Sequence, residues 1–274
     1  MQYKEIPIQL QGSQDYARLC LYLLDVSGEY QLGMKRPMVI ICPGGGYERT
    51  SDREAEPVAA QFLAMGYHAA VLRYSTAPST FPTSLLELSF SVQYIKKHAQ
   101  AWSIDTNHVF VMGFSAGGHL AASYGAFWNK DFISNAIHTE TDHLKINGLI
   151  LCYPVITSDP AYMHEGSFMK LLGSNYPEKK DEVSIERLVT KDFPKTFLWH
   201  TYTDQAVPVE NSLLLAMALR KANVGLELHI YPEGRHGLSL ADETTSSCER
   251  KDELNISVQT WISLLKTWLR ELCR

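Results

Sequence analysis

Val109-Phe110-Val111-Met112-Gly113-Phe114-Ser115-Ala116-Gly117-Gly118 is an apolar run that breaks into small residues around one serine and continues as the helix-like stretch His119 to Phe127. Short runs of β-branched and aromatic residues form buried strands, so the stretch up to Gly113 reads as one, and Gly113-x-Ser115-x-Gly117 reads as the sharp turn that follows. Glycines two places either side of the serine let strand and helix pass closely. They also tolerate a strained serine backbone, which projects the hydroxyl outward while the first helical amides point back at it. Five common residues in this pattern carry little weight alone; the strand before and the helix after give the pattern its meaning.

Working outward, Pro37-Met38-Val39-Ile40-Ile41-Cys42 is a continuous apolar run, as expected of a strand covered on both faces. It ends in Pro43-Gly44-Gly45-Gly46-Tyr47, a loop whose amides can face a ligand because no side chain blocks the approach. Taken alone, that loop would be read as a flexible turn. Residues 52–65 read as a helix closed by Gly66, and 67–73 as the next strand. Leu85, Leu88, Val92, Ile95 and Ala99 recur at helical spacing, which predicts a helix over 83–102. Further strands are predicted at 107–112, 146–153, 193–202 and 225–231, with helices at 209–223 and 254–272. The last helix carries the stripe Val258, Trp261, Ile262, Leu265, Trp268, Leu269 and Leu272. Residues 129–145 read as polar and irregular. Residues 1–36, closed by Gly28 and Gly33, alternate weakly as paired edge strands do. Strands alternating with helices from residue 37 onward imply an α/β fold, a mostly parallel sheet with helices on both faces. Residues 1–274 are expected to form one domain, interrupted at 155–192 by a proline-bearing insertion over the site.

The chain has 274 residues and a formal net charge of −5, enough length for a sizeable core and no basic footprint for nucleic acid or anionic membrane. Cys20, Cys42, Cys152, Cys248 and Cys273 are odd in number, scattered and free of any C-x-x-C pair, which argues against a disulfide framework and a zinc ribbon. No basic-then-apolar leader opens the sequence, and no run reaches bilayer length, so the cytoplasm is the expected compartment. Asn255-Ile256-Ser257 matches a glycosylation acceptor but lies in a helical pattern and is read as chance.

A serine hydroxyl is a poor nucleophile at neutral pH; it needs a base, and the base needs an orienting group. After a strand-turn-helix serine, the chain order is serine, acid, histidine. Of the later histidines, His236 alone sits in a glycine-flanked loop after the last strand, whereas His138, His143 and His164 fall in irregular segments. His200 and His229 sit inside strand patterns and read as packed residues. Asp204 follows one strand and precedes a helix, which puts it at the same sheet edge as Ser115 and His236. Glu210 is the second choice and reads better as a first-turn helix charge. The amides of Gly45, Gly46 and Ala116 are the expected oxyanion donors. His119 reads as a buried helix histidine bonded to backbone. No H-E-x-x-H or clustered ligand set accompanies it, so neither a metal nor any other cofactor is expected.

Together these residues resemble the α/β-hydrolases, and within them the esterase branch that includes hormone-sensitive-lipase-like enzymes and bacterial acetyl-xylan and feruloyl esterases. Cys42 to Tyr47, Arg73-Tyr74-Ser75-Thr76-Ala77-Pro78, Gly113 to His119, Asp204 and His236 carry the resemblance, which spans roughly 37–272. Many lipase-like members place histidine before the glycine loop where this chain has Pro43, so different hydrogen bonds must hold the loop. The choice of donors among Gly44, Gly45 and Gly46 is open at this point. The resemblance implies a serine carboxylesterase for short acyl esters, with acetylated sugars or xylo-oligosaccharides leading. Tyr47, Met163 and Phe168 are expected to line the substrate pocket, although packing of the insertion explains the last two equally well. The alternatives are an amidase or peptidase with the same triad, or a silent ligand-binding relative that would have lost a triad member.

Overall fold

The computed structural model describes residues 1–29, 33–247 and 251–273. Eight strands form one sheet in the order β1-β2-β4-β3-β5-β6-β7-β8: β1 (Gln2–Pro7), β2 (Arg18–Leu23), β3 (Arg36–Cys42), β4 (His68–Arg73), β5 (Ile104–Phe114), β6 (Gly148–Cys152), β7 (Thr196–Thr201) and β8 (Leu226–Tyr231). β2 pairs antiparallel with both β1 and β4, and every pairing from β4 onward is parallel. The helices are α1 (Glu56–Ala64), α2 (Thr83–Lys97), α3 (Ser115–Phe127), α4 (Asp131–Ala136), α5 (Glu165–Leu172), α6 (Glu210–Lys221), α7 (Ile256–Gln259) and α8 (Trp261–Leu272).

The continuous apolar runs are explained by two cores, one per face. Along β3, Met38, Ile40 and Cys42 join the core under α2, α3 and α6, while Val39 and Ile41 join the core under α1 and α8. β5 divides the same way, with Val109 and Val111 on the first face and Phe110, Met112 and Phe114 on the second. A strand buried on both sides has no polar face to alternate with, which is why period two vanishes there. The stripe predicted for the last helix packs as expected, with Val258, Trp261, Leu265, Trp268 and Leu269 buried.

Several boundaries differ from the expectations. The 52–65 helix splits into a 3-10 turn at Asp52–Glu54 and α1, with Ala55 between them and Pro57 in the first turn of α1. The 254–272 helix is divided at Thr260, where α7 ends and α8 begins. α7 starts from Asn255, whose side chain accepts the Val258 amide at 3.1 Å. The strand expected at 107–112 runs from Ile104 to Phe114. Residues 129–145 are less irregular than their polarity suggests: α4 and a 3-10 turn at Thr141–Leu144 are anchored by buried Ile133 and Leu144. Residues 155–192 hold α5 and 3-10 turns at Gly173–Asn175, Lys180–Val183 and Ile185–Arg187. Among the described residues no helix is long and apolar enough to cross a membrane. Cys20, Cys42, Cys152 and Cys273 are free thiols, and Cys248 lies outside the described residues.

Candidate active site

The turn between β5 and α3 depends on missing side chains. A Cβ on Gly113 would stand 2.0 Å from the Gly117 carbonyl oxygen, and one on Gly117 would stand 2.1 Å from that of Cys42. Ser115 at the turn's tip has φ +53, the left-handed region that L-residues enter at a cost. Its carbonyl accepts the Val155 amide at 3.0 Å, tying the elbow to the segment after β6.

The loops after β5, β7 and β8 bring three of the expected residues into line. Ser115 Oγ donates to His236 Nε2 at 2.7 Å, and His236 Nδ1 donates to Asp204 Oδ2 at 2.6 Å. Asp204 is enclosed, while His236 keeps a fifth of its side chain open. The other Asp204 oxygen accepts the Ala206 and Val207 amides, each at 3.0 Å. Burial alone would raise the Asp204 carboxyl. Hydrogen bonds from His200 and His236, the closeness of the His236 imidazole and the Val207 amide outweigh it and hold the group well below the usual carboxylate range. Such a line can move a proton from hydroxyl to imidazole and stabilise the imidazolium that results. Glu210 stands at the first turn of α6, part-exposed, with no hydrogen bond to His236 among the described residues.

Pattern reading missed the second partner of Asp204. His200 Nε2 lies 3.3 Å from Asp204 Oδ2 and 2.9 Å from the Val207 carbonyl, and its Nδ1 accepts the Ser212 hydroxyl at 2.7 Å. A histidine inside an apolar strand gives no sign that its far side meets the acid of the next loop. His164, expected in an irregular segment, stands directly before α5. It caps α5, accepting the Ser167 hydroxyl at 2.8 Å, and burial, with the nearby His236 imidazole, pushes its own imidazole down.

In the glycine loop the Gly44 amide is engaged, donating to Glu54 Oε2 at 2.8 Å. The Gly45 and Gly46 amides make no hydrogen bond among the described residues, and Ala116 stands at the start of α3. Tyr47 follows with φ +58, its hydroxyl 2.9 Å from His119 Nδ1, and its side chain is buried in the core. His119 Nε2 donates to the Val183 carbonyl at 2.8 Å, a buried and backbone-bonded histidine as its sequence suggested. Phe168 packs edge-on against that imidazole at 5.6 Å and is 1% exposed, so it meets the site through the core rather than as an open wall. Met163 is half-buried against the same core.

A family profile named BD-FAE matches residues 24–219. The chain belongs to the BD-FAE family. Among curated relatives, endo-1,4-beta-xylanase B of Butyrivibrio fibrisolvens is 35% identical over 77% of this chain and 34% of its own length. An acetylxylan esterase of Xylanibacter ruminicola is 30% identical over 73% of this chain and 40% of its own length. The chain thus spans between a third and two-fifths of these two proteins. Among solved structures, the carboxylesterase Cest-2923 of Lactobacillus plantarum superposes with a TM-score of 0.85, at 29% identity, over 99% of this chain and 98% of that one. The fold of this BD-FAE member is the α/β-hydrolase fold.

Proposed function

We propose that this chain is a serine carboxylesterase acting on short acyl esters, with acetylated sugars or xylo-oligosaccharides as its substrate class. The observation that carries the reading is the unbroken hydrogen-bonded line from Ser115 through His236 to Asp204, beside unengaged amides at Gly45 and Gly46. Ser115 Oγ attacks the ester carbonyl as His236 takes its proton. The amides of Gly45, Gly46 and Ala116 hold the oxyanion, and Asp204 steadies the imidazolium. Collapse expels the alcohol, which leaves with the proton from His236. Water, activated by the same imidazole, then releases the acid and restores the serine.

The substrate class rests on the activities of the relatives and on an open groove beside His236. Thr203, Gln205, Glu233, Arg235 and Asn255 line it, a polar set suited to a hydroxylated alcohol. The segment 155–192 is the cap in this reading, placing α5 over the acyl side. The test is turnover of p-nitrophenyl acetate and acetylated xylo-oligosaccharide beside an acetanilide, with fluorophosphonate labelling. Ser115→Ala should abolish labelling and lower kcat by several orders of magnitude. Label on another serine, with turnover kept in the variant, would overturn the assignment. Faster cleavage of the anilide than of the ester would favour an amidase.

A further inference from the structure

Glu54 is a carboxylate with 4% of its surface exposed, on the short turn before α1, far in sequence from every residue of the triad. Its two oxygens face different loops. Oε2 accepts the Gly44 amide at 2.8 Å, and Oε1 accepts the Tyr153 hydroxyl at 2.7 Å. The Tyr153 oxygen in turn accepts the Ser239 amide at 2.9 Å. The Ser239 hydroxyl returns to the same turn, donating to the Arg53 carbonyl at 2.7 Å. The Tyr153 ring stands edge-on to His236 with centroids 5.1 Å apart. Tyr153 at φ +37 and Ser239 at φ +55 both hold left-handed backbones, a cost that persists only where surroundings over-determine the conformation.

We propose that Glu54 and Tyr153 are positioning residues for ester hydrolysis: one buried carboxylate sets the glycine loop and, through the tyrosine, the loop that carries His236. The inference rests on the serine-esterase reading above. Its physical basis is that a carboxylate is acceptor-only and can take one donor on each oxygen, so a single side chain fixes two loops relative to each other. A Cβ on Gly44 would stand 2.8 Å from Glu54 Oε2 and 2.9 Å from Ser115 Cβ, so this amide is clamped between the acid and the nucleophile. With Gly44 held, the next two amides are the ones left to meet an oxyanion. Oxyanion donors act only when already in place, because reorienting them during the reaction forfeits their stabilisation. Pro43 stands where many lipase-like members carry histidine, and here Glu54 holds the loop at Gly44.

The experiment uses the full chain and three variants, Glu54→Gln, Tyr153→Phe and Ser115→Ala, each with its melting temperature measured. Glutamine keeps the shape but offers one acceptor and one donor group, so Gly44 and Tyr153 can no longer both donate to it. The expected result for Glu54→Gln, assayed well below its melting temperature, is a fall in kcat on p-nitrophenyl acetate of about 10- to 1,000-fold with KM within about twofold, up to the loss of about 10²–10³ that removing an oxyanion donor outright costs. Tyr153→Phe leaves Gly44 with its partner, so its loss should be smaller and should appear as a displaced acidic limb of the kcat/KM–pH profile, where the free enzyme's base titrates. A stability role alone would lower the melting temperatures and leave kcat and the pH profile unmoved. If Glu54→Gln is folded and keeps kcat within about twofold, the positioning role is overturned. If it fails to fold, Tyr153→Phe decides, and an unchanged pH profile with unchanged kcat overturns the proposal. Failure of the catalytic reading looks different: turnover would survive in Ser115→Ala.

Discussion

Asp204 shows how much can rest on one side chain. It collects His236, His200 and two backbone amides on two oxygens, so its carboxylate is held ionised and aimed. Its depressed pKa makes a signed contribution to stability, fully present above the ordinary carboxylate range and lost only as pH falls toward the lowered native value. Its larger consequence is kinetic. An asparagine there keeps the shape but favours the wrong tautomer of the base, a change that costs about 10⁴ in kcat in serine proteases. Glu210, on the first turn of α6, complements that helix's positive end, and such an exposed charge contributes about 1 kcal/mol or less. Asp204→Asn is therefore expected to lose about 10⁴ in kcat while Glu210→Gln stays near wild type. Kinetics of the two folded variants check this, and the reverse pattern would reassign the orienting acid.

At the scale of elements, α3 is the junction. Every residue from Ser115 to Ala126 is buried, and His119 one turn in joins the helix to the glycine loop through Tyr47 and to the insertion through Val183. Burial pushes the His119 imidazole down to about 4, while the unfolded chain's sits near 6.5. Between those values the unfolded chain takes up a proton that the native state refuses. Stability from this group is therefore complete above pH about 6.5 and drains away toward pH about 4, by about 3 kcal/mol in all. His68 shifts the same way and adds to it. Urea midpoints should thus be lower at pH 5 than at pH 7; His119→Gln should be less stable at pH 7 yet show a flatter pH dependence. An equal wild-type midpoint at both pH values would overturn this. The elements also show what could be read in advance. β3 and β5 were legible because strands covered on both faces leave unbroken apolar runs, and the elbow was legible because close strand–helix passage demands glycine at 113 and 117. Glu54 was not legible, since Asp-Arg-Glu-Ala-Glu-Pro looks like the acidic start of a helix and nothing local distinguishes the one acid that turns inward. His200 was hidden for the same reason: its partner belongs to tertiary structure.

Across the whole molecule, the carboxyl ends of β3, β5, β6, β7 and β8 deliver the glycine loop, the elbow, Tyr153, Asp204 and His236 to one edge. A roomy concavity at the other edge, between Lys96, Asn107, His143 and Lys145, lies by the amino ends of β5 and β6 and holds none of these groups. Between the glycine loop, α3 and α5 space is scarce. Tyr47, His119, Val155, Ser167, Phe168 and Leu171 pack around a gap too small to hold a water molecule. Val155, on its wall, is bonded to the serine's own carbonyl. A chain of many carbons would have to displace Phe168 or Leu171 from a packed core, and such overpacking costs about 1–3 kcal/mol even for small additions. Where no space is open, extra methylenes have no cavity to fill, so the gain of about 0.8 kcal/mol that burying each would bring is not realised. Acetyl esters are accordingly expected to exceed decanoyl esters in kcat/KM. Phe168→Leu should move the preference toward butyryl by about tenfold relative to acetyl, because trimming this core ring frees room for the longer acyl group and leaves the shorter one nearly untouched. The measurement is kcat/KM for p-nitrophenyl acetate, butyrate and decanoate in both proteins. A wild-type preference for decanoate, or an unchanged butyrate-to-acetate ratio in a folded Phe168→Leu variant, would show that the acyl group lies elsewhere than against this cluster.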